Sequence, residues 1–88
     1  MAANLTITFN GGQGTLDVKV FRNGVEVDKG SANQSGTIAL SNAVKGDRIA
    51  CVGAISGTDA EIIIDVPTVP TTPHPYPHGA LLDNFKIS

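Results

Sequence analysis

One cysteine, Cys51, cannot build a disulfide framework within the chain, and without a second sulfur no thiolate metal cluster is open to it. Tryptophan is absent and only 5% of the residues are aromatic. Charge is sparse too: 16% of residues are ionic, with a formal net charge of −2 and signs mixed along the chain. That distribution offers no basic stripe for a phosphate backbone, so nucleic acid is not an expected partner. No apolar run approaches the ~20 residues of a membrane span, and MAANLTITFN lacks the basic start and apolar stretch of a signal peptide. The expectation is a soluble chain, with a cell-surface or secreted location left open if a leader was removed. No window of eleven or more residues carries a helical apolar stripe, and no GxSxG or Cys/His nucleophile arrangement is present.

What is present is alternation of period two. The 88 residues suit a single domain, residues 1–88, with one modest core and little spare stability for strained catalytic geometry. In LTITF, Leu5, Ile7 and Phe9 share one face. TLDVKVFRNGVEVDKG reads as a hairpin turned by Asn23-Gly24, the pair that a type I′ turn demands. That turn predicts Val20 opposite Val27 and Lys19 opposite Asp28, with Val25 and Val27 facing inward. GTIALS supplies Ile38 and Leu40. RIACVGAIS, apolar or small on both faces, reads as a central strand. SGTD is expected to turn the chain into AEIIIDV, and LLDNFKIS gives a last strand with Phe85 and Ile87. Six or seven short strands predict an all-β, mostly antiparallel β-sandwich.

The succession GTIALSNAVKGDRIACVGAISGTDAEIIIDV resembles the second half of immunoglobulin-like or fibronectin type III-like accessory domains of bacterial surface and secreted proteins, in which a Lys-Gly-Asp turn precedes a central strand. The resemblance covers roughly residues 5–66, and the paired cysteines and core tryptophan of antibody domains are missing. It implies adhesion, assembly or carbohydrate association.

Candidate sites are few. Gly11-Gly12-Gln13-Gly14 follows a strand as a phosphate loop would, but precedes the strand-like TLDVKV instead of a helix, so it reads as a flexible hairpin loop. Asp59 and Glu61 are the best carboxylates for Ca²⁺, yet no DxDxDG-like run accompanies them, and a solvated rim is the simpler reading. Cys51, in an apolar run with no histidine near it in sequence, reads as a small buried hydrophobe. Phe21 falls on the polar face of its hairpin. It is expected to pack beneath a connection, with exposure to a partner as the alternative.

TVPTTPHPYPHG, residues 68–79, holds four of the five prolines, both histidines and the only tyrosine. Pro67, Pro70 and Pro73 recur every third residue, as along one edge of a polyproline II helix, and predict an extended strap over residues 67–79 that crosses to the other sheet. Recognition is the alternative reading. Phe21, His74, Tyr76 and His78 are then the binding candidates, although His74 and His78 would be about 12 Å apart in an extended segment, too far to share a metal ion without a turn. The function expected is a non-catalytic binding or structural module, with a protein or carbohydrate partner, no cofactor, and a homodimer through edge strands. A small metal-binding or hydrolytic protein using His74 and His78 is the alternative.

Overall fold

The computed structural model describes residues 2–88 and is all-β. Its strands are β1 (Ala3–Asn10), β2 (Gly14–Arg22), β3 (Val25–Ala32), β4 (Gly36–Leu40), β5 (Arg48–Ile64), β6 (Thr68–Val69) and β7 (His74–Ile87), and every pairing among them is antiparallel. No helix among the described residues is long and apolar enough to cross a membrane.

β5 organises the rest. Its first half lies between β2 and β7, and its second half lies between β1 and β7. β1 and β2 therefore run end to end along one side of β5, while β3 and β4 run end to end along the outer sides of β2 and β1. These long ribbons are creased at one level: at residues 11–13, at the bulge between Ile55 and Asp59, and near Gly79, which has φ +118°. Folding along the crease turns the sheet back on itself into a nearly closed barrel, with radius of gyration 12.0 Å. The sandwich expectation is corrected accordingly. SGTD is a bulge inside one 17-residue strand instead of a turn between two, and Gly11–Gln13 is packed against that bulge instead of looping freely. Gln13 O accepts the Ser56 amide at 2.9 Å, which ties the two creases together.

The core follows the predicted alternation. Leu5, Ile7, Leu16, Val18, Val20, Leu40, Ile49, Cys51, Ile62, Leu81 and Phe85 are buried. The Asn23-Gly24 turn has the expected positive φ values of 53° and 79°. Beyond it the register slips. Arg22 pairs with Val25 and Phe21 with Glu26, but a bulge then sets Val20 opposite Asp28 and Lys19 opposite Lys29. Val27 is consequently half-buried against the core and the anticipated Lys19–Asp28 pair does not form, while Val25, opposite Arg22 as expected, is exposed instead of inward. Asp28 instead accepts the Asn42 and Lys29 amides at 3.0 and 2.9 Å.

The proline segment is also corrected. It is not a polyproline strap: Thr68 and Val69 form β6 against the end of β7, and the chain then reverses through residues 70–73, where Val69-Pro70 and Thr72-Pro73 are cis. Strand β7 then starts at His74, with Pro75 opposite Glu61 and Pro77 opposite Asp59. Here β7 has a neighbour only on its β5 side, the edge setting in which a residue lacking an N–H is tolerated. At the turn, Thr72 Oγ1 accepts the Ile64 amide at 3.1 Å and so continues the pairing past His74.

A polar latch closes the end of the barrel near the β2–β3 turn. The Arg22 guanidinium donates two 2.9 Å hydrogen bonds to the buried Asp47 carboxylate, which also accepts the Val44 amide at 3.0 Å. The hydrogen bonds from Arg22 hold the Asp47 carboxyl below the usual carboxylate range. Ile87 N donates to Asp47 O and Gly46 N donates to Ile87 O, so the Lys-Gly-Asp segment joins β5 to the end of β7.

Candidate functional site

Inward-facing positions bring Tyr76, Asp83 and His74 together where the two halves of β7 fold toward each other. Tyr76 Oη donates to Asp83 Oδ2 at 2.7 Å, the His74 and Tyr76 ring centroids lie 4.7 Å apart, and His74 Nε2 lies 4.0 Å from Asp83 Oδ2. Cys51 pairs with Asp83 across β5–β7. Burial, reinforced by the Asp83 carboxylate, pushes the Cys51 thiol up to about 12. Burial and the hydrogen bond to Asp83 likewise raise the Tyr76 phenol well above its ordinary value. Both groups are thus held in their protonated forms, which suits a structural clasp and works against nucleophilic chemistry.

His78 is not part of this cluster. Its Nδ1 contacts the Gly57 carbonyl at 2.8 Å, fastening β7 to the crease, while His74 Nδ1 lies 3.1 Å from Pro75 O. Residues 74–77 are extended, so the chain makes no turn at Tyr76-Pro77 to bring the two rings onto one ion. Asp59 accepts a 2.7 Å bond from Asn10 Nδ2 on the outside of β5, beside Glu61. No group of three or more His, Cys, Asp or Glu side chains with metal-holding geometry occurs among the described residues. Phe21 is half-buried on the outside of β2, paired with Arg48 on β5 and Glu26 on β3.

The outer walls of the barrel are less ordinary than its interior. Across the wall formed by β3, β2, the first half of β5 and β7, side chains stand in rows. Ser31, Asp17, Val52 and Leu82 form one, and Lys29, Lys19, Ala50 and Asn84 form the next. Val52 and Leu82 are direct cross-strand neighbours and are 52% and 76% exposed. Small Ala50 beside long Lys19 and Lys29 leaves an open groove of about 740 Å³, lined by Asp17, Lys19, Lys29, Ser31, Ala50 and Val52.

Neither the family models, nor the curated proteins, nor the solved structures gave a match to this chain. The site must be judged on its own chemistry.

Four of the six basic residues, Lys19, Lys29, Arg48 and Lys86, project from this wall, accompanied by Asp17 and Glu26. Lys19 Nζ lies 3.7 Å from Glu26 Oε1. On the other wall, formed by β4, β1, the second half of β5 and the start of β7, the outward positions of β5 are Asp59, Glu61 and Ile63, with Asp65 just beyond the end of the strand. No lysine or arginine among the described residues projects there. Asp65 accepts the Asn4 backbone amide at 2.7 Å and the Asn4 side-chain amide at 2.9 Å, which lowers its carboxyl and fixes its position. Sequence reasoning placed Asp59 and Glu61 at a rim but missed the charge segregation. The signal was the shared parity of the basic residues on their strands, and it becomes readable only once strand order is known.

Proposed function

We propose that the domain is a non-catalytic binding or structural module whose contacts are made by the outer wall of β3, β2, β5 and β7. The observation that carries this reading is the exposed Val52–Leu82 pair, set beside a groove with charged sides. A sheet face turned to water normally alternates to polar residues, and adjacent apolar side chains left there mark a surface awaiting cover. The polar groups at the barrel's interior and end support the same reading, since Tyr76 with Asp83 and Arg22 with Asp47 form two separate pairs that hold the barrel shut. A protein surface is favoured over a carbohydrate, because the wall offers aliphatic side chains and charge, with the half-buried Phe21 its one aromatic ring. An accessory role of the kind carried by immunoglobulin-like domains belongs to this proposal as the resemblance implies it.

The test replaces the pair with polar side chains, Val52→Thr and Leu82→Asn. The double variant should melt within a few degrees of the parent and bind less of an environment-sensitive apolar dye. A large loss of stability with unchanged dye binding would show that the pair serves the fold instead of contact. An oligosaccharide array separates the two partner classes, with binding there favouring carbohydrate. Metal analysis of protein purified without an affinity tag addresses the histidine-based alternative: near one equivalent of metal would favour it.

A further inference from the structure

The two outer walls carry opposite charge and each has an exposed aliphatic centre. On the basic wall, Val52 and Leu82 lie in the row beside that of Lys19 and Lys29, with Arg48 and Lys86 in the row beyond. On the acidic wall Ile63, 40% exposed, stands between Glu61 on β5 and Asp65 just past its end. The basic wall is also built against its own stability. Lys19 is directly opposite Lys29, and Arg48 is directly opposite Lys86, two like-charge cross-strand pairs on one face. Such pairs destabilise a sheet unless something else neutralises them. Glu26 reaches only Lys19 among the four, and the chain as a whole is close to neutral, so the segregation is not a by-product of excess positive charge.

We infer that the occupant of the basic wall is the acidic wall of a second copy of this chain, joined face to face and head to tail. This rests on the reading of the basic wall as a contact surface and names what covers it. Asp59, Glu61 and Asp65 supply the charge that the two cationic pairs lack, and Ile63 has the size to enter the depression over Ala50 beside Val52 and Leu82. Asp59 and Asp65 are already held in place by Asn10 and Asn4, so little ordering is left for association to accomplish. Because the two surfaces lie on opposite walls, the contact is heterologous and a joined pair keeps one free wall of each sign, one on each copy. The product is an open linear array, not a closed two-fold dimer.

Edge pairing is the less favourable route. Pro75 and Pro77 interrupt the free edge of β7, the Asp83 carboxylate caps the Asn84 amide at 2.8 Å, and Asp28 caps the Lys29 amide at the edge of β3. All are devices that blunt strand edges. The wall spans about 20 Å along the strands and about 14 Å across them, a footprint well below the ~800 Å² per partner of a stable interface, so association should be weak and sensitive to salt.

The experiment is sedimentation velocity on the parent and two charge-reversed variants, with melting curves confirming that each folds. Lys29→Glu with Lys86→Glu reverses one member of each like-charge pair, which leaves the sheet no worse paired. Asp59→Lys with Glu61→Lys reverses the other wall. The parent should form concentration-dependent oligomers at about 20 mM salt and revert to its 9.1 kDa monomer at about 0.5 M salt. Each variant alone should be monomeric. Mixed together, they should associate again, because native wall meets native wall and reversed wall meets reversed wall, each with opposite charge, and the oligomers should again grow with concentration beyond 9.1 kDa. A parent that stays monomeric at low salt overturns the inference while leaving the apolar-dye test of the wall itself standing. Variants that remain monomeric when mixed, or a parent that stops at a two-fold dimer, overturn it as well.

Discussion

Lys19 on β2 and Lys29 on β3 face each other in register on the outer wall of the barrel. Lys29→Glu should therefore raise the melting temperature, by up to about 5 °C, while weakening self-association. Opposite movements of stability and association, measured on one sample by calorimetry and sedimentation, identify a residue kept for contact. A variant that loses stability would place Lys29 among the supports of the fold.

Tyr76 is the only tyrosine, so its absorbance near 295 nm is free of overlap. Its phenol is raised in the folded state by burial and by Asp83. A raised group contributes stability that is complete below the ordinary value of about 10 and is lost as pH climbs toward the folded value. Tyrosinate should accordingly appear only together with unfolding in an alkaline titration. Tyr76→Phe should lower stability by about 1.5–3 kcal/mol through loss of the charge-assisted hydrogen bond. Ionisation near pH 10 with the fold intact would contradict the clasp.

Asp47 has the opposite sign. Its carboxyl is depressed by Arg22 and by the Val44 amide, so its contribution is present above the ordinary carboxylate range and is lost as pH falls through the folded value. Stability should be level between about pH 5 and 8 and fall below about pH 4. Asp47→Ala, which strands the Val44 amide, should lower the melting temperature on the order of 10 °C and flatten the acid limb. An acid limb as steep as the parent's would show that other carboxyls govern it.

Gly57 tests the crease. A methyl group there would press on the Asn10 carbonyl oxygen and the Gly12 amide nitrogen, whereas one at Gly36 would meet nothing within 4 Å. Gly57→Ala should destabilise the domain by about 1–3 kcal/mol and Gly36→Ala by much less. Equal effects in chemical denaturation would mean that the bulge does not depend on this close approach.

Much of the interior was legible because burial on one side of a strand imposes alternation. Leu5 and Ile7, Val18 and Val20, Ile62 and Ile64 all point inward as their spacing requires. The barrel was not legible, because SGTD reads equally as a hairpin turn or as a bulge. Only pairing with Gly11–Gln13 on one side and Gly79 on the other makes it a crease. The β2–β3 register was missed for a related reason: Val27 is displaced by a bulge that no residue type announces. RIACVGAIS was correctly read as central from its two apolar faces. Its outer face is nevertheless uncovered, and that surplus apolar surface, visible at Val52, is the part of the candidate site the sequence already contained.

The central claim is that contact runs from one wall to the other. A dilution series of amide ¹H–¹⁵N spectra at low salt tests it most directly, because every residue reports separately. The concentration-dependent shifts should fall on two sets, Lys19, Lys29, Val52 and Leu82 on one wall and Asp59, Glu61 and Ile63 on the other, with Leu5, Val18 and Phe85 in the core unmoved. Shifts confined to one wall, or gathered along the free edges of β3 and β7, would contradict it.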